Sequence, residues 1–505
     1  MAEDEGGGSG APPRRLTSGQ RWAIAGLVLV VVVFRVALVL VVHDRAPERA
    51  VVDDTAGYVD PALSLVDDGD FDQRPGTESP EFVRTPGYPA FVAATYLVSG
   101  KSTAFLLSVQ AALSSLSVLF VVLLALRLTT SFTVAYGSGV LVALDPLQSA
   151  QSGLIVTEAI ATALTTLALY LGARFVESRF AVGWGALYAS ALAVATYVRP
   201  ATYYFWILVV GGLVVLAWRA GADRRASLRR AALAVALPSL VLLGAWNVRN
   251  HFAVDSWRYS GVEAVNLFWY KAGALVAAER GEDLETAQVQ LTEELNHDVA
   301  PFDYEAYRDG WPPPAWADRQ GEYYARAQSE AIDVLLDDPV GSARLVARGV
   351  YGQVVQSGWK SAWVDVAGGP PPRVFEGVGL LVVWATEALA AVGAVVSLRR
   401  RGSGSDSDSG SRWAPERLAH VLTLGLVAYV VLASSLGPDG AGGYRFRSPL
   451  WPAICVYAAI GGAHLWGWWS TRRSAGPAAS GEPAESTGPA GSVGSVGQVE
   501  PVDAG

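Results

Sequence analysis

The chain has a single cysteine, Cys455, in 505 residues. That excludes an internal disulfide framework and any metal site built from several cysteines. Histidine is sparse, five in all, and no two stand at the i,i+4 spacing of a helical zinc site. Lysine is nearly missing: Lys101, Lys271 and Lys360 are all there is, so arginine carries almost all the positive charge. Charged residues make up 17% of the chain, against about a quarter in an ordinary soluble domain. So little charge excludes a disordered protein and disfavours a soluble enzyme of this size. The net charge of −9 argues against nucleic acid as a partner.

What the sequence does have is long apolar runs. Residues 22–42, WAIAGLVLVVVVFRVALVLVV, are interrupted by one arginine. A helix of about 20 residues rising about 1.5 Å each spans the hydrocarbon of a bilayer. Ten such spans are expected, near 22–42, 102–126, 131–146, 156–174, 182–198, 201–218, 231–247, 376–398, 417–434 and 449–469. The arginines test that count. Arg14, Arg15 and Arg21 precede the first span, Arg127 follows the second, and Arg174 and Arg179 lie between the fourth and fifth. Arg219, Arg224, Arg225, Arg229 and Arg230 lie between the sixth and seventh, Arg399–Arg401 follow the eighth, and Arg472 and Arg473 follow the last. Ten spans put all of these on one face, which the positive-inside rule makes cytoplasmic, with both termini inside.

The expected organisation follows. Residues 1–21 are a disordered cytoplasmic N-terminus, rich in glycine and proline and not a cleavable signal. Residues 22–247 hold spans one to seven, with the first external loop over 43–101. Residues 248–375 form a small external domain, 376–470 hold spans eight to ten, and 471–505 are a disordered tail. Loop four carries nearly all of the net negative charge, and its amphipathic stretches EYYARAQSEAIDVLLDD and GSARLVARGVYGQVV predict helices. WPPPAW (311–316) and GGPPPR (368–373) are breakers within and after it. The fold class is thus an all-α multi-pass membrane protein, with juxtamembrane helices in loop one and a small domain in loop four.

Charges at the external span ends need a reason, because an ion at the edge of hydrocarbon is costly without a partner. Asp54 and Tyr58, in VVDDTAGYVD after span one, lie on one face if that stretch is helical; Asp53 or Asp54 could equally be a helix cap. Arg84 precedes the turn Pro86-Gly-Tyr-Pro89, where a guanidinium could grip a phosphate or merely snorkel to the interface. Asp145 and Thr157-Glu158 stand at the ends of spans three and four, either as helix caps or as members of a cavity. Arg199, Arg249-Asn250-His251 and Tyr444-Arg445-Phe446-Arg447 also fall at external span ends, breaking the charge rule where an anion would want them. Acids and guanidiniums at one mouth suit a reaction on a phosphorylated lipid: a carboxylate activates a hydroxyl and cations stabilise a departing phosphate.

With these motifs in hand, the chain resembles the GT-C superfamily of integral-membrane glycosyltransferases. It is most similar to the branch of the lipid A aminoarabinose transferase and the dolichyl-phosphate-mannose–protein mannosyltransferases. The resemblance rests on Asp54-Thr-Ala-Gly-Tyr58, Arg84-Thr-Pro-Gly-Tyr-Pro89, Thr157-Glu158, Arg199-Pro200, Arg249-Asn250 and Tyr444-Arg-Phe-Arg-Ser-Pro449, in this order over about residues 22–470. It implies transfer, with inversion, of a sugar from a polyprenyl- or dolichyl-monophosphate donor, mannose favoured, to a glycan, lipid or protein acceptor on the outer face of the cell membrane. It implies that Asp54 activates the acceptor, that Glu158 is a second catalytic acid, and that Arg84, Arg445, Arg447, Tyr58 and Arg249 serve the donor phosphate. No cofactor is required, although some relatives use a divalent cation, and Mg²⁺ or Mn²⁺ on Asp54 and Glu158 is admitted. Two departures stand out: the long acidic loop four, and Gly57 where some members carry a basic residue. The alternatives are a polytopic transporter or lipid flippase, which should show repeats and mid-membrane charge, and a non-catalytic subunit of glycan assembly, for which Asp54→Asn would be harmless.

Overall fold

The computed structural model describes residues 16–297, 319–399, 414–437 and 443–474. Among these the regular elements are helical, apart from one isolated bridge pairing Asp72 with Pro80. The first half runs α1 (Ser18–Arg45), α2 (Ala56–Asp67), α3 (Gly87–Ser99), α4 (Thr103–Thr129), α5 (Phe132–Ala143), α6 (Pro146–Gln151), α7 (Glu158–Glu177), α8 (Val182–Val198), α9 (Phe205–Arg219) and α10 (Ala222–Val254). After it come α11 (Val262–Val265), a π-helical stretch (Asn266–Ala272), α12 (Gly273–Arg280), α13 (Leu284–His297), α14 (Gln320–Asp337), α15 (Pro339–Val355) and α16 (Trp359–Ala367). The chain closes with α17 (Arg373–Arg399), α18 (Pro415–Ser434), α19 (Gly443–Arg447) and α20 (Trp451–Ser474). By contacts the chain divides at Ala463, so that the second unit's described part is the last turns of α20.

Each expected span coincides with one helix. Seven are long and apolar enough to cross a membrane, α5 and α8 are apolar but shorter, and α20, the helix of the tenth expected span, is not among the seven. Local chemistry sets their ends. Thr17 and Gln20 form a capping box at α1, and Ser102 and Ser131 accept backbone N–H groups at the starts of α4 and α5. Span three stops early, at Ala143, because Pro146 starts a new short helix whose cap is Asp145: its Oδ1 accepts the Leu147 N–H at 3.3 Å. The capping reading of Asp145 therefore holds.

Three expectations need adjusting. Helix α1 begins at Ser18, so the N-terminal segment expected to be disordered ends earlier than Arg21; residues 1–15 lie outside the described residues. Likewise α20 continues to Ser474, and the expected tail from 475, like WPPPAW, lies outside them. Nor does one helix carry both Asp54 and Tyr58. Asp54 lies in the turn before α2, where Thr55 Oγ1 accepts the Val52 N–H at 2.9 Å and donates to the Ile155 carbonyl at 3.3 Å.

Helices α2 and α3, from loop one, pack on the ends of the bundle. Tyr58, Ala62, Tyr88 and Val92 share a buried core with Val39 of α1, Leu106 and Ala111 of α4, and Ile155 before α7. Gly87 allows that packing, since a Cβ there would come within 2.6 Å of the Tyr197 backbone at the end of α8. The loop-four domain has its own core of Phe268, Trp269, Leu291, Tyr323 and Tyr324, and Phe82 from loop one is built into it. The two amphipathic stretches of that loop are α14 and α15, as expected.

Candidate active site

The turn before α2 holds Asp54 over the mouth formed by the first residues of α7 and by α19. Its two carboxylate oxygens are taken by two different guanidiniums. Arg84 Nη2 donates to Oδ1 at 3.0 Å, and Arg445 Nη2 donates to Oδ2 at 3.0 Å. Arg445 also donates through Nε to Glu158 Oε1 at 3.0 Å, and Arg199 Nη1 reaches the same oxygen at 3.2 Å. Arg84 further donates to the Tyr58 hydroxyl at 3.3 Å and lies 4.8 Å from that ring's centre. Tyr58 is fixed in turn by an edge-on contact with Tyr88, centres 5.1 Å apart. Among the residues named from sequence, the structure thus brings together Asp54, Tyr58, Arg84, Glu158, Arg199 and Arg445.

The cluster has an inner and an outer layer. The Glu158 side chain is 2% exposed, whereas those of Asp54, Arg445 and Arg84 are 34%, 33% and 27% exposed. Burial would raise the Asp54 carboxyl, but the guanidiniums of Arg84 and Arg445 outweigh it and hold the carboxyl below its ordinary value. Glu158, with burial opposing, is what chiefly strengthens the Arg445 cation. Counting Arg199, three cations pair directly with two carboxylates, one more cation than carboxylate within ion-pair distance. It can therefore receive an anion while presenting a carboxylate beside it. Gly57 shapes the outer layer: a Cβ there would meet Arg84 Nε at 2.8 Å, so the departure noted at this position leaves room for the Arg84 guanidinium.

Two expected members are elsewhere. Arg249 donates to the carbonyls of Glu81 (2.6 Å) and Phe71 (2.9 Å) and lies against the Phe71 and Trp246 rings. Arg447 is buried and pairs with Glu387 at 3.0 Å, while also donating to the carbonyls of Gln353 (2.8 Å) and Ser357 (3.3 Å). Both guanidiniums are spent on backbone oxygens and, for Arg447, on Glu387.

Two groups escaped the sequence reading, and a third was seen there only as a charged span end. Arg199 was visible as an arginine at a span end, but only the fold takes it to Glu158. Asp365 on α16 lies within the field of Arg445, and burial pushes its carboxyl up to about 6 against that cation. Tyr270, in the π-helical stretch, lies within the field of Asp54 and Arg84. Nothing local in sequence marks either of these two.

The admitted Mg²⁺ or Mn²⁺ fits these residues poorly. Asp54 and Glu158 already accept guanidinium N–H groups, Arg445 stands between them, and no group of three His, Cys, Asp or Glu side chains among the described residues could hold a metal. A hard cation held by these two carboxylates, with water and phosphate completing its shell, would have to displace the guanidiniums that they accept.

The family described as dolichyl-phosphate-mannose-protein mannosyltransferase matches residues 87–260, about a third of the chain. Over that stretch the chain is similar to this mannosyltransferase family. The matched stretch includes Glu158 and Arg199 and stops short of Asp54, Arg84 and Arg445. No curated protein matches the chain. Among solved structures, the apo Archaeoglobus fulgidus oligosaccharyltransferase is 13% identical, with a TM-score of 0.45 over 89% of this chain and 51% of that one. Cupriavidus metallidurans ArnT bound to undecaprenyl phosphate is 14% identical, TM-score 0.36, over 92% and 82%. The arabinosyltransferase EmbB of Mycobacterium smegmatis is 13% identical, TM-score 0.34, over 92% and 44%. The chain thus spans about half the length of the archaeal enzyme. Likenesses at these scores carry no weight for the site.

Proposed function

We propose that this chain is a membrane glycosyltransferase that moves a sugar, mannose being favoured by the matching family, from a polyprenyl-monophosphate donor to a hydroxyl acceptor at the outer membrane face. The observation that carries the reading is the Asp54 carboxylate held between Arg84 and Arg445, all three partly open to solvent and backed by buried Glu158. Each Asp54 oxygen gives one lone pair to a guanidinium and keeps another for an incoming hydroxyl. In the proposed step, the acceptor oxygen bonds to the anomeric carbon as its proton passes to Asp54. The bond from that carbon to the phosphate oxygen breaks, and the lipid phosphate leaves with the electron pair. Arg84 and Arg445 neutralise the charge that develops on it. Attack opposite the leaving group inverts the anomeric centre. Glu158, itself paired with Arg199, holds Arg445 from beneath, and Tyr58 holds Arg84; Arg249 and Arg447 take no part in this step.

The test is transfer from dolichyl-phosphate-mannose by the purified protein in liposomes. Arg445→Ala is expected to lower turnover by about 10²–10³-fold and to raise the donor KM, the loss typical of removing one charge-stabilising donor. Wild-type donor dependence in that variant would refute the phosphate role.

A further inference from the structure

Arg84 stands at the end of a short segment, Ser79–Val83, that is gripped almost entirely through its backbone. Gln320 Nε2 of α14 donates to the Pro80 carbonyl at 3.0 Å and to Ser79 Oγ at 3.3 Å. Arg249 Nη1 of α10 donates to the Glu81 carbonyl at 2.6 Å. The Gly261 N–H donates to the Phe82 carbonyl at 3.0 Å, and Ser260 Oγ to the Val83 carbonyl at 2.6 Å. The Phe82 side chain is buried in the loop-four core. Last in the chain of contacts, the buried Glu81 carboxylate accepts the backbone N–H of Arg84 itself at 2.6 Å. Every carbonyl from Pro80 to Val83 is therefore held by a group of α10, α14 or the 260–261 turn, and the residue released from this grip is the one that reaches Asp54.

From this geometry we infer that Glu81 and Ser260 are positioning residues for the reaction, setting the Arg84 guanidinium for the donor phosphate, with Arg249 locking the same segment from α10. The inference rests on the reading of Arg84 as a phosphate ligand. Such control is worth having because a guanidinium on a flexible stem binds phosphate well only when its two-pronged face is already aimed. It also connects the acidic loop-four domain to the donor side of the site. The segment between them is fixed by hydrogen bonds, so a displacement of the 260–261 turn is passed along it to Arg84.

The experiment measures undecaprenyl phosphate affinity, without sugar or acceptor, on the full-length protein in detergent micelles. Arg84→Ala is expected to weaken binding about tenfold or more, as for loss of a charge-assisted contact. Glu81→Ala and Ser260→Ala are each expected to weaken it about three- to tenfold, and Glu81→Gln to restore it, because the amide oxygen still accepts the Arg84 N–H. In the Arg84→Ala background neither change should weaken binding further, since a residue acting through Arg84 has nothing left to position. Losses that multiply in the double variants, or Glu81→Ala and Ser260→Ala binding like wild type, would overturn the inference while leaving Arg84 in its role. Arg84→Ala binding like wild type would overturn the phosphate role and this inference with it. Should Glu81→Ala fail to fold, Ser260→Ala removes only one hydroxyl and decides the matter alone.

Discussion

At the scale of single residues, the informative signal was cost. Asp54, Arg84, Glu158 and Arg445 were legible because charge at a span end needs a reason, and the fold supplies it by putting opposite signs within 3.0 Å of one another. Arg249 and Arg447 carried the same signal and are used differently. A guanidinium serves a backbone carbonyl as readily as a phosphate oxygen, so composition and spacing cannot separate the two uses. Gly57 gives a first prediction. In Gly57→Ala the new Cβ collides with the movable end of Arg84, not with backbone. Thermal stability should therefore stay close to wild type while the donor KM rises several-fold; an unchanged KM would mean that Arg84 does not need that space.

Glu81 gives a second prediction, on pH. Burial pushes its carboxyl up to about 7 from an ordinary 4.5, against the opposing pull of the Arg84 N–H and guanidinium. Between those values the folded protein holds a proton that the unfolded chain has released, so stability falls as pH rises through this window. The whole effect is roughly 3 kcal/mol for a shift of this size. Thermal midpoints of wild type should decline from pH 5 to pH 8 more steeply than those of Glu81→Gln. Parallel declines in the two proteins would contradict a raised Glu81.

At the scale of elements, seven spans were legible from apolar length, and the helix ends from Ser, Thr, Asp and Pro at the caps. The grip of loop four on Ser79–Val83 was not, because backbone carbonyls have no sequence signature and the partners lie some 170 to 240 residues away. Arg447 shows what the structure adds at this level. It ties α19 to the end of α15 and to Glu387 of α17 from a buried position. Arg447→Ala strands Glu387 and should cost about 3–5 kcal/mol of stability. Its effect should appear as a lower thermal midpoint at constant donor KM, whereas a raised KM with an unchanged midpoint would return Arg447 to the phosphate site. The crossing of α17 and α20 is set by glycine: a Cβ on Gly393 would come within 2.0 Å of the Tyr457 carbonyl. Gly393→Ala must part the two backbones and should destabilise the protein by about 1–3 kcal/mol, read again as the thermal midpoint.

At the scale of the whole molecule, the apolar helices and the placement of arginine organise the account. If the arginine clusters mark the inside, then α14 and the cluster around Asp54 face out. The lone native cysteine is buried, which makes labelling clean. In intact cells, Glu330→Cys on α14 should react with a membrane-impermeant maleimide and Gln20→Cys at the start of α1 should not; the reverse pattern would invert the topology. Fold class was readable because hydrocarbon imposes its requirement on long stretches of chain. The site was readable only as a set of charged span ends, since which of them converge depends on how loop one folds back across α7 and α19.

The central claim, that Asp54 performs sugar transfer, has a direct test that does not require knowing the sugar. Glycan and glycolipid masses are compared in cells lacking this chain and in the same cells carrying wild-type or Asp54→Asn protein at equal membrane levels. General-base removal costs about 10²–10⁴-fold, so the account predicts that Asp54→Asn leaves the same missing sugar mass as the deletion. Restoration of the wild-type masses by Asp54→Asn would contradict it.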